Sequence, residues 1–256
     1  MYPVIRILHV EVESYIVLYL IAFIVVTFLL RHELKRKNYP PYLYALLMIT
    51  GLITGIIGSK IYYFFEIWDE FILSPLEPIF NIPGSGWYGG FILGGISIAL
   101  ILKIKKLPVL ETLDVIIPVV PLGQVFGRLG CFLGGCCHGT PANVPWALSF
   151  PNGQYPAYVK VHPTQLYEMF IYLCIFILLW KLRKKEMKNG LKFSLYLILA
   201  GPGRFIVEFY RINPQTTLFR LTAPQIIAIL GMMLGAFIII YVNRTGAKVR
   251  TPAGNN

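Results

Sequence analysis

Residues 14–30, SYIVLYLIAFIVVTFLL, form an apolar run without a charged side chain. Such a run is just long enough to cross the hydrocarbon core of a bilayer as an α-helix, which needs about 17–25 residues. Comparable runs recur at 43–66, 87–102, 111–129, 164–180, 191–208 and 223–242. The sequence therefore predicts an all-α integral membrane protein with about seven transmembrane helices.

The composition supports the same class, since 56% of the residues are hydrophobic and only 14% are charged. Because the apolar runs extend from end to end, residues 1–256 are predicted to form a single polytopic membrane domain, not a soluble domain with an anchor. The two long connections, loops 67–86 and 131–163, are expected on the non-cytoplasmic side. Connections of that length usually have a function, so the active face is expected there.

The basic residues indicate the orientation. Lysine and arginine cluster after the first, third and seventh runs and between the fifth and sixth. Cytoplasmic loops carry such an excess, so we expect the N-terminus outside and the C-terminus in the cytoplasm. The net charge of +11 then reflects topology and contact with anionic membrane lipids, and no nucleic-acid partner is expected.

A glycine-rich segment, Gly127–Gly139 (GRLGCFLGGCCHG), places an arginine at the end of the fourth run. An arginine at the centre of a membrane helix costs about 2.5–3.5 kcal/mol unless it faces protein, water or an anionic ligand. Arg128 is therefore a candidate for ligand binding.

Arg204, Glu208 and Arg211 end the sixth run. Their spacing of four and three residues puts them on one stripe of a helix. One interpretation is an internal ion network that neutralises itself. The other is a positive site that, together with Arg128, holds a phosphodiester, because guanidinium groups bind phosphate through paired donors.

His162 precedes the fifth run, and Gln165 and Glu168 lie three residues apart on one face of it. Glu168 either orients an arginine or accepts a proton. The alternative is that His162 is an interfacial residue and that Gln165 and Glu168 only join helices.

The second run contains Gly51, Gly55 and Ser59 at intervals of four, a spacing that favours close helix packing. Lys60 follows, and it either pairs with a partner, reaches the interface or contacts a ligand.

Three cysteines, Cys131, Cys136 and Cys137, lie within the glycine-rich segment. Adjacent cysteines are poorly placed to chelate one ion, and no second Cys-x-x-Cys is present, so no metal is expected. A redox pair of Cys131 and Cys136 around a turn is a second interpretation. Small thiols packed in a tight turn are the favoured one.

These motifs, in this order, resemble those of the prolipoprotein diacylglyceryl transferases of the bacterial inner membrane. The resemblance spans residues 14–242 and rests on Gly58-Ser59-Lys60-Ile61-Tyr62-Tyr63, Gly127-Arg128-Leu129-Gly130 with Phe132, Pro145-Trp146-Ala147, His162-Pro163-Thr164-Gln165-Leu166-Tyr167-Glu168, Arg204-Phe205-Ile206-Val207-Glu208-Phe209-Tyr210-Arg211 and Thr222-Ala223-Pro224-Gln225-Ile226.

The resemblance implies a seven-span, multi-pass enzyme of the inner membrane that needs no cofactor. It implies transfer of the diacylglyceryl group of phosphatidylglycerol to the lipobox cysteine of a preprolipoprotein signal peptide, with release of glycerol phosphate. Arg128 and Arg204 take the positions that hold the donor's phosphate. The predicted catalytic residues are Arg128, Arg204, Glu208, Tyr88 and His162. The predicted phospholipid-binding residues are Arg128, Arg204, Arg211, Gln165, Glu168, Lys60 and Gly139.

The sequence departs from the family pattern at three positions. Tyr88, Cys131 and Cys136 stand where the family has histidine, asparagine and glutamate. The first change removes the family's proton acceptor, for which Tyr88, His138 and His162 are the candidates here; a tyrosine with a pKa near 10 is a poor base at neutral pH. Alternative functions are a diverged lipid-binding or accessory membrane protein, or a membrane thiol oxidoreductase that uses the three cysteines.

Overall fold

A computed structural model describes residues 4–7, 10–66, 68, 87–151, 155–156, 158–212 and 221–245. The elements in chain order are β1 (Val4–Ile7), β2 (Val10–Glu13), α1 (Ser14–Arg36), α2 (Leu43–Glu66), α3 (Trp87–Ile104), α4 (Val109–Ile116), α5 (Val120–Gly134), α6 (Thr164–Leu182), α7 (Leu191–Glu208) and α8 (Ala223–Thr245). The predicted loop 67–86 lies outside the described residues apart from Trp68.

The apolar runs of the sequence coincide with helices. Among the described residues, five helical segments are long and apolar enough to cross a membrane, namely Ser14–Arg36, Leu43–Phe65, Val109–Gly134, Thr164–Leu182 and Ala223–Thr245. Helix α3 is apolar but shorter, and α7 is not among the five. The fold is therefore that of a helical integral membrane protein, whereas seven spans and the orientation stay predictions.

The expectation of an all-α chain missed a short hairpin before α1. Strands β1 and β2 pair antiparallel, with Val4 opposite Glu13 and Ile7 opposite Val10. The second strand reads VEVE, and this alternation of apolar and charged residues is typical of a strand. The pattern is only four residues long, and a membrane run follows it at once.

The fourth apolar run is interrupted by a 3-10 turn over Ile117–Val119 between α4 and α5. Pro118 lies within this turn and Pro121 follows it, and proline removes the N–H that an α-helix needs. Just before the turn, Asp114 accepts hydrogen bonds from the backbone N–H groups of Gly190 and Phe193, both at 2.8 Å. This carboxylate fixes the first turn of α7 against the broken helix.

The chain falls into two compact units, one of Met1–Glu33 with Leu113–Asn256 and one of Leu34–Thr112. In the first unit a core cluster joins the 3-10 turn, α6 and α7, and consists of Ile117, Tyr172, Ile175, Leu179 and Tyr196. The Tyr196 hydroxyl donates to Gln124 Oε1 of α5 at 3.1 Å. This cluster sets the relative positions of the three helices that carry the charged motifs. The single polytopic domain predicted from the sequence stays a prediction.

In the second unit, α2 and α3 pack through glycines. A Cβ atom on Gly58 would lie 2.3 Å from the Gly89 carbonyl oxygen, and one on Gly90 would lie 2.7 Å from that of Gly55. Real Cβ atoms do not approach so closely, so the two backbones are in direct contact. The close packing predicted from the small residues of α2 is confirmed at Gly55, and Gly58 approaches more closely still.

Candidate active site

Four charged side chains from three helices form one ion network. Arg128 of α5 contacts Glu168 of α6 with Nε at 3.0 Å from Oε2 and Nη2 at 3.0 Å from Oε1. Arg204 of α7 lies with Nη1 3.5 Å from Glu168 Oε1 and with Nη2 2.6 Å from Oε2 of Glu208. Glu168 is thus shared by two arginines that are distant in sequence, and it holds their guanidinium groups next to each other.

The network is shielded from solvent. The side chain of Arg128 is 15% exposed, that of Arg204 is 7% exposed, and those of Glu168 and Glu208 are each 2% exposed. Carboxylates are rarely buried to this degree unless they are paired. Two arginines balance two glutamates, so the four side chains together carry no net charge.

Glu208 is also held by the start of α8. The Thr222 hydroxyl donates to Glu208 Oε1 at 2.9 Å. Thr222 and Gln225 form a reciprocal cap, in which each accepts a hydrogen bond from the other's backbone N–H, at 3.0 and 3.4 Å. The sequence contains this Thr-x-x-Gln motif, but neither Thr222 nor Gln225 was among the predicted site residues. The capping-box spacing was the available signal.

We expect Glu208→Gln to lower activity less than Glu208→Leu. The amide keeps an acceptor for Thr222, and a single hydrogen bond contributes about 1 kcal/mol, or roughly fivefold in rate. Leucine removes every polar contact to Arg204. Steady-state rates of both variants, normalised to folded protein, measure the difference. Equal losses would show that the negative charge or the proton of Glu208 is used directly.

The loop between α5 and α6 closes over the end of α7. The expectation of a loop over 131–163 is wrong at its start, because α5 continues to Gly134. Gly139 donates its N–H to the His162 carbonyl at 2.8 Å, and Thr140 donates to that of Tyr210 at 2.9 Å. Gly139 also forms a β-bridge with Arg211.

Arg211 therefore does not lie on the helical stripe that its spacing predicts. Helix α7 ends at Glu208, and the backbone at Arg211 instead pairs with Gly139 of the loop. Arg204 and Glu208 keep the predicted spacing of four residues within the helix and form an ion pair.

Gly139→Ala is expected to disrupt this junction. An added Cβ would lie 2.3 Å from the Tyr210 carbonyl oxygen and 2.8 Å from the Cβ of His162. Overpacking of this kind costs about 1–3 kcal/mol. The temperature of thermal unfolding and the rate of lipid turnover should both fall. Gly95→Ala is the matched control, because an added Cβ there meets nothing within 4 Å. Wild-type behaviour of Gly139→Ala would contradict the predicted close approach.

The first turn of α6 holds the cysteine segment in place. The Thr164 hydroxyl donates to the Cys137 carbonyl at 2.8 Å, and Gln165 Nε2 donates to the Cys136 carbonyl at 2.7 Å. The side chain of Gln165 is fully buried, and its Oε1 accepts no hydrogen bond among the described residues. Gln165 therefore keeps one acceptor available next to Glu168.

His162 is half-buried in an aromatic group at the same junction. Its Nδ1 lies 3.0 Å from the Tyr167 hydroxyl, which accepts a hydrogen bond from Trp146 Nε1 at 2.7 Å. The Tyr210 ring packs edge-on at 4.9 Å between centroids. His138, by contrast, is buried, stacks on Phe150 and has Nδ1 3.2 Å from the Gly139 carbonyl oxygen. His138 thus has a packing role.

The model of the prolipoprotein diacylglyceryl transferase family matches residues 3–241. This chain belongs to that family. The resemblance inferred from the motifs is thereby confirmed over nearly the whole chain.

Individual members of the family show the same relationship. The phosphatidylglycerol–prolipoprotein diacylglyceryl transferase of Clostridium tetani is 40% identical over 214 residues, covering 82% of this chain and 85% of the relative. A second such enzyme, of Clostridium perfringens, is 35% identical over 207 residues, covering 79% of this chain and 80% of the relative. The enzyme of Leptospira interrogans is 33% identical over 231 residues, covering 78% of this chain and 72% of the relative.

Two predicted site residues of this family member belong to the other compact unit. Lys60 lies on α2, and Tyr88, at the start of α3, is half-buried with its ring centroid 6.4 Å from that of Tyr62. Their participation in the site stays a prediction. Arg128, Glu168, Arg204 and Glu208 are in direct contact within the first unit.

The two cysteines that depart from the family pattern meet a third one. The Sγ atoms of Cys131, Cys136 and Cys137 all lie within 4.8 Å of one another. The pKa of Cys137 is lowered, first by the neighbouring thiols of Cys131 and Cys136 and further because Arg211 and Arg128 favour its thiolate. The sequence alone did not predict that three sulfur atoms come together.

Proposed function

We propose that this protein transfers the diacylglyceryl group of phosphatidylglycerol to a cysteine thiol of a prolipoprotein. The observation that carries the proposal is the buried Arg128–Glu168–Arg204 arrangement in a chain of this family. The names of the relatives supply the lipid donor and the protein acceptor. They favour this transfer over an accessory lipid-binding role and over thiol oxidoreduction.

The reaction exchanges one bond for another at a glyceryl carbon. The acceptor sulfur attacks the carbon that bears the phosphate, a C–S bond forms, and the C–O bond to phosphate breaks. Glycerol phosphate leaves, and the thiol proton passes to a base. The phosphate begins with one negative charge as a diester and gains a second as it leaves. Positive groups fixed near its oxygens therefore stabilise the transition state more than the substrate.

Arg128 and Arg204 are the groups we assign to this task. A guanidinium group has five N–H donors, and Arg128 directs only Nε and Nη2 at Glu168. The remaining donors suit two oxygens of a phosphate. Arg211 adds a third positive charge, so three arginines against two glutamates leave one net positive charge. That charge matches the single negative charge of the diester.

Gln165, Gly139 and Lys60 are assigned to the remaining part of the lipid head group. Gln165 Oε1 is buried and accepts no hydrogen bond from the described residues. A glycerol hydroxyl is a suitable donor for it. Gly139 pairs with Arg211 through its backbone, and it has no side chain where His162 and Tyr210 approach it most closely. The assignment of Lys60 to lipid binding rests on the sequence resemblance alone.

His162 is the proposed proton acceptor for the incoming thiol. An imidazole nitrogen is the commonest general base in enzymes, whereas a phenol is a weak base at neutral pH. The contact with Tyr167 at Nδ1 orients the ring. Tyr88, which stands at the position of the family's histidine, is the second candidate.

The proposed setting is the bacterial inner membrane, crossed seven times with the N-terminus outside and the C-terminus in the cytoplasm. The acceptor is then a signal peptide whose lipobox cysteine reaches the site on the non-cytoplasmic side. The distribution of basic residues along the sequence supports this orientation.

The decisive experiment incubates the purified protein in detergent with phosphatidylglycerol and a synthetic lipobox peptide, followed by mass spectrometry. A mass increase of one diacylglyceryl group on the peptide is expected, with equimolar glycerol phosphate. A peptide with serine in place of the cysteine is the control and should stay unmodified. An unmodified cysteine peptide, with lipid binding intact, would favour the accessory role; a mixed disulfide with the peptide would favour the oxidoreductase.

A further inference from the structure

We infer that Cys131, Cys136 and Cys137 form a binding site for a single Cu(I) ion, held by three thiolates. The inference rests on the arrangement of the sulfur atoms and is independent of the lipid-transfer proposal. The three Sγ atoms lie within 4.8 Å of one another. Three sulfur ligands at about 2.3 Å from one metal ion stand about 3.8–4.0 Å apart, so small side-chain rotations complete the site.

The end of α5 explains how Cys131 and Cys136 meet. Gly135 adopts a left-handed conformation with φ of 75°. Its N–H bonds to the Phe132 carbonyl, and that of Cys136 bonds to the Cys131 carbonyl, at 3.3 and 3.1 Å. This pair of bonds is a Schellman motif, in which the side chains at the positions of Cys131 and Cys136 come into contact.

Cys137 joins them because its own backbone is left-handed. Its φ is 61°, a conformation that is uncommon for residues other than glycine. The sequence-based expectation that adjacent cysteines are poorly placed to chelate one ion assumes an ordinary backbone at both positions, and the left-handed φ at Cys137 removes that assumption. The hydrogen bonds to the Cys136 and Cys137 carbonyls from Gln165 and Thr164 hold the segment in this conformation.

The chemistry of the ligands selects a soft metal ion. Thiolates prefer Cu(I) and Zn²⁺ among the biologically common ions. Structural zinc sites are almost always tetrahedral with four protein ligands, whereas the cysteine cluster offers three ligands among the described residues. Cu(I) accepts three sulfur ligands. Cys136 and Cys137 are exposed, which gives the ion access.

The surrounding charge favours the loaded site. Three thiolates around one Cu(I) carry a net charge of minus two. Arg211 and Arg128 both interact electrostatically with Cys137, so positive groups lie near the cluster and reduce the repulsion among its thiolates.

The test titrates Cu(I) into the purified, reduced full-length protein under anaerobic conditions, in competition with a chromogenic Cu(I) chelator. We expect one equivalent bound, and X-ray absorption at the copper edge should detect three sulfur neighbours. Cys131→Ser, Cys136→Ser and Cys137→Ser should each lower the affinity at least about tenfold, which corresponds to about 1.4 kcal/mol. Cys174→Ser, which changes the exposed cysteine of α6, is the matched control and should bind as the wild type does.

Three results would overturn the inference. They are no copper retained against the chelator, a loss of Cu(I) affinity in Cys174→Ser as large as in the cluster variants, or wild-type affinity in any of the three cluster variants. Zn²⁺ bound in preference to Cu(I) would overturn the assignment of the ion. Thermal unfolding of each variant checks that serine preserves the turn. Lipid transfer without copper is measured in parallel, and the cluster variants should keep a substantial part of it. Failure of copper binding with transfer intact refutes the metal site alone.

Discussion

Arg204→Lys is expected to lower lipid transfer by about 10²-fold or more, the usual loss when one transition-state donor is removed. Lysine preserves the charge but not the paired donors with which a guanidinium group grips two oxygens. Its single nitrogen also cannot reproduce the two separate nitrogen contacts by which Arg204 pairs with Glu168 and Glu208. Arg128→Lys should fail for the same reason, and the alanine variant of either residue should have no measurable activity.

The measurement is turnover per folded enzyme with phosphatidylglycerol and the lipobox peptide. Arg183→Lys is the matched control, because Arg183 also pairs with a buried glutamate, Glu33, at 3.2 Å in the same unit but lies outside the proposed site. This variant should keep near-normal turnover. Wild-type turnover in Arg204→Lys or Arg128→Lys would refute the phosphate-binding role.

The helices could be predicted from the sequence because membrane insertion leaves a strong signal. The predicted run 43–66 and the helix Leu43–Glu66 coincide, and the run 164–180 falls within the helix Thr164–Leu182. Lipid requires long apolar stretches, so their ends can be located within a few residues. The hairpin before α1 was missed, because its pattern covers only two strands of four residues each.

The charged residues of the candidate site could be proposed from the sequence, but the contacts between them could not. The cost of a charge in a membrane identified Arg128 and Arg204 from sequence. That both contact Glu168 depends on how α5, α6 and α7 pack, and no spacing along the chain encodes it. The departure of Arg211 from the helix and the convergence of the cysteines depend on local backbone conformation at Glu208 and at Gly135, which periodicity does not report.

Glu168→Gln is expected to lower kcat by about 10²-fold, comparable with a direct loss of a transition-state donor, while KM for phosphatidylglycerol stays equal or falls. Glu168 is the carboxylate that both Arg128 and Arg204 contact. Its neutralisation raises the net positive charge of the site, which favours binding of the anionic lipid. The arginines lose the group that holds them side by side, so their donors no longer meet the leaving phosphate together.

This separation of kcat from KM identifies Glu168 as a positioning residue, because a general loss of folding would lower turnover without improving lipid binding. Glu33→Gln is the matched control, since Glu33 is equally buried and paired with Arg183. It should lower thermal stability but leave kcat per folded enzyme near the wild-type value. The double variant Glu168→Gln with Arg128→Lys should lower kcat by less than the product of the two single-variant reductions, because both changes break the same contact. Full additivity, or a Glu168→Gln variant with unchanged kcat, would contradict a role for Glu168 in aligning the two arginines.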